Sequence, residues 1–413
     1  MEPSEDGTAG EGGRMTVRYL LMNAYSVGGT IRTVINQANA MAAAGHDVDL
    51  VSVFRTRQET RFPVDPRVRL RSLADLRGPE WRHPLRSWLV RRPSALVPPA
   101  EVRYTTFNRF SDPRIVAYLR TLRGGVLVTT RPALNLLAAR FAPGDVVLVG
   151  QEHMHLDSHK AGLRAEIERW YPRLDALAAL TETDAARYGA LLAESGAAVV
   201  AIPNGLTPAE RRPADVGGTT VVAVGRLTPQ KGFDMLIRAF AAVAAAHPEW
   251  RLRIYGDGRE RARLLGLAAR LGLRDRVFLM GTTMKIEKEL AKGSLFVLSS
   301  RSEGFGMVLI EAMAHGLPVV SFDCPEGPAE IVTPERNGLL VPPKDVDALA
   351  AAITRLVEDP ALRAFLGAAA RASSARYEMD VVHARWEALF ARLLAARENA
   401  GIQGGTLGKA ANR

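Results

Sequence analysis

The chain has 413 residues, 47% of them apolar and 24% charged, with one cysteine, Cys324. That length exceeds one ordinary core and predicts two domains of about 200 residues each. The composition is globular, no run approaches the roughly 18 uninterrupted apolar residues that cross a bilayer, and a lone cysteine excludes a disulfide framework or a cysteine metal cluster.

The ends read as disordered tails. Met1 to Gly13 is acidic and Gly-rich without the apolar stretch of a signal peptide, and Gly401 to Arg413 is similar. A cytoplasmic location is the expectation. The net charge is +10, and sixteen Arg and no Lys against six Asp and Glu between Arg55 and Arg123 supply a surplus of that size. Such a patch suits nucleic acid, an anionic membrane surface or a polyanionic acceptor. An Arg-rich composition contributes to it, and no aromatic-interleaved RNA motif, zinc finger or basic zipper accompanies it, so nucleic acid is not expected as a partner.

In chain order, Val17 to Met22 is an apolar strand, Asn23 to Thr30 a polar turn containing Gly28 and Gly29, and Thr30 to Ala44 a helix by its apolar spacing. Asp47 to Phe54 completes a βαβ unit of the Rossmann type, without the Gly-x-Gly-x-x-Gly fingerprint. By itself the Gly28-Gly29 pair is a tight turn or a place of close backbone approach. From Arg55 to Arg123 the chain reads as irregular and basic. Trp81, Leu85, Trp88, Leu89 and Val90 stand there among Arg82, His83, Arg86, Arg91 and Arg92. That mixture fits an interfacial membrane segment, an acceptor-binding loop or a helix packed on the domain.

Val126 to Thr129 and Val146 to Val149 are buried strands, the second leading into Gln151, Glu152, His153, Met154 and His155, with His159 beyond. Three histidines raise the question of metal. However, His153 and His155 would alternate across an extended segment, and no cysteine joins them, so no metal site is expected. Ala176 to Leu180 is the next strand, Thr181 to Asp184 a capped helix start, and Val199 to Ile202 with Pro203-Asn204-Gly205 closes the first domain.

The second half opens with the strand Thr220 to Val224, then Gly225-Arg226-Leu227-Thr228-Pro229-Gln230-Lys231-Gly232-Phe233-Asp234 and a helix from Phe233 to Ala246. A turn presenting Arg226, a planar fork, and Lys231, a mobile point charge, suits a pyrophosphate. Arg251 to Tyr255 precedes a Gly256-Asp257-Gly258 turn that lacks a third glycine, and Val277 to Leu279 leads to Gly281 through Lys285. The apolar run Leu295 to Leu298 precedes Ser300-Arg301-Ser302-Glu303-Gly304-Phe305-Gly306-Met307-Val308, which opens an Ala-rich helix ending at Gly316 to Pro318. Free N–H groups of Gly304, Phe305, Gly306 and Met307 at that helix start would face an anion. Glu303 cannot hold a phosphate and is suited to hydroxyls, and Glu311, two turns along, to a second set. A ligand with both phosphates and hydroxyls is a sugar nucleotide. Asn337 to Val341 reads as a hairpin-like return, followed by helices at Val346 to Glu358, Pro360 to Ser373 and Asp380 to Arg397.

Ser-Glu-Gly-Phe-Gly-Met, with Glu303 and Glu311 across the turn and Ala-His-Gly-Leu-Pro-Val-Val after them, resembles the acidic signature of retaining glycosyltransferases of family 4. Gly-Arg-Leu-x-x-x-Lys-Gly-Phe-Asp resembles that family's phosphate clamp, and the resemblance spans about residues 17 to 395. It implies the α/β GT-B fold: two Rossmann-like domains facing across a cleft, at residues 15–203 for the acceptor and 204–378 for the nucleotide sugar. The tails would be 1–14 and 399–413, and a helix at 379–398 would cross back to the first domain.

The resemblance also implies roles. Arg226 and Lys231 bind the diphosphate, aided by N–H groups from Gly304 to Val308. Glu311 holds ribose hydroxyls, Glu303 contacts the donor hexose, and His153, with His155 in reserve, steadies the transferred sugar. Gly28 and Gly29 bring N–H groups to the donor phosphate or the acceptor, and the segment with Met284 lies along the base. Attack would be on the front face, with the leaving phosphate oxygen taking the proton, and with no metal or other cofactor. The donor would be a nucleoside diphosphate sugar, UDP foremost. The Gly-Gly-Thr start, the Gln-Glu-His segment and the Asp-Cys-Pro-Glu-Gly-Pro turn resemble bacterial enzymes that glycosylate poly(glycerol phosphate)-type wall polymers, which implies a glycan, polyol-phosphate or lipid-linked acceptor and contact with the inner membrane face. A small secondary metabolite is the alternative acceptor. A phosphorylase or epimerase would share the architecture, but the lysine site for pyridoxal phosphate has no counterpart here. A non-catalytic polyanion- or membrane-binding protein would not need the donor-site residues, which are all present.

Overall fold

The computed structural model describes residues 13–78 and 84–410, and side chains within them except at 84 and 400–410. The first half is an all-parallel, seven-stranded sheet in the order β3-β2-β1-β4-β5-β6-β7. Its strands are β1 (Thr16–Leu21), β2 (Asp47–Arg55), β3 (Arg69–Asp75), β4 (Val126–Thr129), β5 (Val147–Gln151), β6 (Ala176–Ala179) and β7 (Ala198–Ala201). The helices are α1 (Gly29–Ala43), α2 (Pro84–Arg91), α3 (Ser111–Thr121), α4 (Pro132–Phe141), α5 (Ala161–Trp170) and α6 (Glu182–Leu191), whose Thr181 cap accepts from the Asp184 N–H at 3.2 Å. Strands such as Val-Leu-Val-Thr are buried throughout because helices cover both faces of the sheet.

The second half is a six-stranded parallel sheet in the order β10-β9-β8-β11-β12-β13. It comprises β8 (Thr220–Val224), α7 (Phe233–Ala246), β9 (Arg251–Tyr255), α8 (Arg261–Arg270), β10 (Val277–Gly281), α9 (Ile286–Leu290), β11 (Leu295–Leu298), α10 (Met307–Ala314), β12 (Val319–Phe322), α11 (Pro328–Ile331), β13 (Leu339–Val341), α12 (Val346–Glu358) and α13 (Pro360–Ser374). The last helix, α14 (Met379–Ala410), returns to the first domain, where Val382, Trp386, Leu389 and Phe390 join the core under α1 and β1. This is the expected pair of Rossmann-like domains with a crossover helix.

In each sheet the strand order reverses once, between β1 and β4 and between β8 and β11. Ligands of open parallel sheets bind outside the carboxyl ends of the strands at such switch points. The loops after β8 and β11 carry Arg226, Lys231 and Glu303, so the topology delivers these residues to one crevice.

Three expectations are corrected. The basic stretch 55–123 is not irregular: it contains β3, α2 and α3. In β3 (Arg-Leu-Arg-Ser-Leu-Ala-Asp) the outward positions of an edge strand are charged, which hides the apolar face. The segment 337–341 is not a hairpin, because Leu339, Leu340 and Val341 pair in parallel with Val320, Ser321 and Phe322 after the α11 crossover. Finally, 399–410 continues α14 where a disordered tail was expected, although Gly401, Gly404, Gly405 and Gly408 disfavour a helix. The calls on Met1 to Pro3 and onward to residue 12, on Trp81, Arg82 and His83, and on 411–413 lie outside the described residues. Among the described residues no helix is long and apolar enough to cross a membrane.

Candidate active site

The second-domain wall is built from two loops laced together. After β8, Gly225 makes room for the Lys231 stem, since a Cβ on it would stand 3.2 Å from Lys231 Cγ and Cδ. The loop then turns through Gly232, in the left-handed region at φ 62°, where a Cβ would meet the Ser299 carbonyl at 2.0 Å. That turn sends Lys231 back toward the loop after β11, and its Nζ reaches Glu303 Oε1 at 2.5 Å. Glu303 also accepts from the Ser300 hydroxyl and is 8% exposed.

Around this pair, Arg301 grips Asp234 with both arms at 3.0 and 2.9 Å, the Arg301 N–H donates to Gln230 O at 2.7 Å, and Gln230 Nε2 donates to Ser302 O at 3.0 Å. The Gly256 and Gly258 turn braces the first loop: a Cβ on Gly256 would fall 1.9 Å from Gly225 O, and one on Gly258 2.4 Å from Leu227 O. It is architectural. Arg226 is exposed and has no side-chain partner among the described residues.

Gly306, at φ 102°, starts α10 without a side-chain cap, and among the described residues the N–H groups of Gly304, Phe305, Gly306 and Met307 donate to no backbone carbonyl. The helix therefore presents uncommitted donors and its positive end to the crevice; Val308 follows in its first turn. Glu311, one turn further, is ion-paired with Arg32 of α1 across the cleft. Ile286 and Glu287 of α9 line the same small cavity as Glu311, and Met284, in the loop before α9, is 71% exposed.

The first-domain wall is organised differently. At the start of α1 neither glycine is demanded by packing: a Cβ on Gly29 would meet nothing within 4 Å, and the one on Gly28 only Ile31 Cδ1 at 3.8 Å. The backbone of Gly28 is extended, which any residue adopts. At the end of β5, the His153 carbonyl lies 2.5 Å from where a Gly304 Cβ would stand, so only glycine lets the two walls meet here. Burial, then the nearby Arg131 charge, pushes the His153 imidazole down to about 3, leaving it neutral, and its Nε2 has no partner among the described residues. His155 Nδ1 is likewise buried without one.

Beneath them Glu152 is buried. Its Oε1 accepts from Asn135 Nδ2 at 2.9 Å and from the Tyr171 hydroxyl, and burial raises its carboxyl to about 8. His159 Nε2 faces Glu152 Oε2 at 3.9 Å, but burial also lowers His159 to about 4. The two meet as neutral groups and not as an ion pair. Among the described residues no three His, Cys, Asp or Glu side chains converge as metal ligands.

The structure thus brings together Arg226, Lys231, Glu303, Gly304 through Val308 and His153, and places Glu311 and the Gly28-Gly29 turn beside them. Sequence reasoning missed Arg32, Ser300 and Arg301. Arg301 stands inside the Ser-Arg-Ser-Glu run and was legible as a third cation; Arg32 had no local signal. Two further contacts tie the domains: Glu330 caps α6 by accepting from the Glu182 and Thr183 N–H groups at 2.8 and 2.9 Å, and Arg187 pairs with Glu326.

Residues 209–373 match the family described as glycosyl transferases group 1. An exopolysaccharide phosphotransferase of Streptomyces coelicolor is 38% identical over 395 residues, covering 93% of this chain; the chain spans only 41% of that relative's length. An uncharacterized glycosyltransferase of Haemophilus influenzae is 25% identical over 376 residues, 90% of this chain and 99% of the relative. In three dimensions the chain superposes on a mutant of S. aureus TarM, solved with fondaparinux, alpha-GlcNAc-glycerol and UDP, at a TM-score of 0.72 and 16% identity over 91% of this chain and 99% of that one. Residues 209–373 therefore match a group 1 glycosyl transferase domain, in a chain that has the two-domain GT-B fold.

Proposed function

We propose that the protein is a retaining glycosyltransferase that moves a hexose or N-acetylhexosamine from a nucleoside diphosphate sugar, UDP foremost, to a cell-surface polymer or lipid-linked acceptor. The observation that carries this reading is the crevice at the β8/β11 switch point, where Lys231 and the unpartnered Arg226 stand with the uncapped N-terminus of α10. Cations and free N–H groups there match a diphosphate, and charge that develops on a departing diphosphate is what they would stabilise. Glu303, held by Lys231 and Ser300, is placed to accept from hexose hydroxyls, and Glu311 from the ribose. Neutral His153 offers its free Nε2 to a sugar hydroxyl. The acceptor hydroxyl attacks C1 on the face the diphosphate leaves, the C1–O bond to phosphate breaks, and the leaving oxygen takes the acceptor proton. Arg226 and Lys231 supply the positive charge that a metal would otherwise provide.

A polyanionic or lipid-linked acceptor is supported by the Arg-rich first domain and by α2. Leu89 and Val90 of α2 pack on the core, while Leu85 and Trp88 are 61% and 47% exposed, with Arg92 stacked 5.0 Å over Trp88. The outer face of α2 would rest on an anionic membrane at the inner leaflet; co-sedimentation with phosphatidylglycerol vesicles, lost in Trp88→Ala, tests that contact.

The reaction is tested with UDP-GlcNAc, UDP-glucose and GDP-mannose and a glycerol-phosphate oligomer as acceptor. Proton NMR of the product should show the donor's anomeric configuration; an inverted product would overturn retention. A second reading comes from the S. coelicolor relative, which is named a phosphotransferase. If this chain transferred sugar phosphate, the product would gain phosphorus and release a nucleoside monophosphate in place of the diphosphate.

A further inference from the structure

Arg32 lies in the first turn of α1, just after the Gly28-Gly29 turn, and its N–H donates to Gly28 O at 3.1 Å. Its guanidinium crosses to the second domain and pairs with the Glu311 carboxylate, the two side chains being 22% and 14% exposed. One turn along the same face of α1, Asn36 Nδ2 donates to Thr207 Oγ1 at 3.0 Å. Glu311 and Thr207 both line the small cavity beside α9, so two polar side chains of α1 bond to residues of its wall. The other charged groups facing Arg32 are accounted for. Glu287 contributes negative potential to it, while Arg211 is committed to Glu378 at 2.7 Å and to Thr207 O at 2.9 Å. Arg32 is thus the cation that neutralises Glu311.

We propose that Arg32 is a gate on the donor site: it occupies Glu311 across the domain seam, and the ribose hydroxyls of an incoming nucleotide must displace it to bind. This rests on the donor-site reading above. The guanidinium of Arg32 holds Glu311 Oε1 in a charge-assisted bond, so two ribose hydroxyls and Arg32 are rivals for that carboxylate. Binding and domain contact are then linked in opposite directions, and each weakens the other by the same factor. Arg32 is a positioning residue, acting on the donor through Glu311.

The test uses the full chain and reads affinity by calorimetry for UDP, GDP and ADP and for the uncharged nucleosides uridine, guanosine and adenosine, which remove diphosphate electrostatics from the comparison. Arg32→Gln should bind the matching nucleoside more tightly than wild type, by about 5-fold or more, the lower range of coupling between linked sites. Arg32→Lys, which keeps the charge but not the fork, should fall between them and guards against a glutamine variant that folds poorly. Glu311→Gln should bind more weakly, and the Arg32→Gln, Glu311→Gln double variant should match Glu311→Gln alone, because the gate acts only through that carboxylate. Nucleoside binding that is unchanged or weaker in both Arg32 variants, while wild type binds a nucleoside diphosphate, would overturn the gate and leave the donor site intact. Wild type that binds none of the three diphosphates would overturn the donor-site reading and the gate with it.

Discussion

The two walls of the cleft solve opposite problems. On the second domain, charges meet in preset pairs: Lys231 with Glu303, Arg301 with Asp234, and loop to loop through Gln230. On the first domain, polar atoms are buried with capacity unspent: His153 Nε2, His155 Nδ1 and both polar ends of Gln37 and Gln151 have no partner among the described residues. Unpartnered buried polar atoms cost stability unless something else satisfies them. The second domain is a preorganised electrostatic site, ready before a ligand arrives. On the proposed reading, the neutral hydrogen-bonding groups of the first domain would be satisfied by a bound sugar and acceptor. A diphosphate needs fixed charge, whereas a sugar and its acceptor need directional, uncharged contacts.

The largest expected effect breaks the charged wall. Lys231→Ala removes the cation facing both Glu303 and the proposed diphosphate, and kcat for transfer should fall about 10²- to 10³-fold, as for loss of one preorganised electrostatic contact. A steady-state assay of nucleoside diphosphate release reads it, and an unimpaired variant would end the assignment. On the neutral wall, His153→Ala should lower kcat by about 10- to 100-fold, the worth of one buried hydrogen bond. If its loss equalled that of Lys231, the contrast between the walls would fail.

The third test concerns pH. Glu152 titrates at about 8 in the folded chain against an ordinary 4.5, so the folded state holds a proton that the unfolded state has released. Its contribution therefore weakens as pH rises through that window, by up to about 1.4 kcal/mol per pH unit. His153, at about 3 against an ordinary 6.5, acts the other way: its contribution is lost as pH falls below 6.5. His155, His159, His315 and His383 are lowered in the same direction, so between pH 6.5 and 8 the Glu152 effect is read as a difference: in urea unfolding, wild type should lose stability relative to Glu152→Gln as pH rises. Equal slopes would mean Glu152 is ionised in the folded chain. Smallest is Arg301→Ala: the fork to Asp234 is partly exposed and screened, and its loss should lower unfolding stability by about 1 kcal/mol. A loss of Lys231-like size in kcat would show that Arg301 touches the donor.

What was legible in the sequence follows the same division. The strand β8, the helix α7 and the strands β9 and β11 fall where apolar runs and glycines predict them, and Arg226, Lys231 and Glu303 lie in two short runs whose chemistry is local. The topology then needed only to place those runs at one switch point. Glu152 could not be read this way, because Asn135 and Tyr171, which hold its oxygen, come from α4 and the turn after α5. Arg32 and Glu311 are 279 residues apart, and no local pattern joins them. Charged residues on the outer face concealed β3, and the glycines between 401 and 408 concealed the last turns of α14.

The measurement that bears most directly on the central claim is calorimetric titration of the purified chain with UDP, GDP and ADP, in wild type and in Lys231→Ala. The account predicts selective binding of one nucleoside diphosphate, UDP foremost, weakened about tenfold or more in the variant. Equal binding by the variant, or no binding of any of the three by wild type, would contradict it.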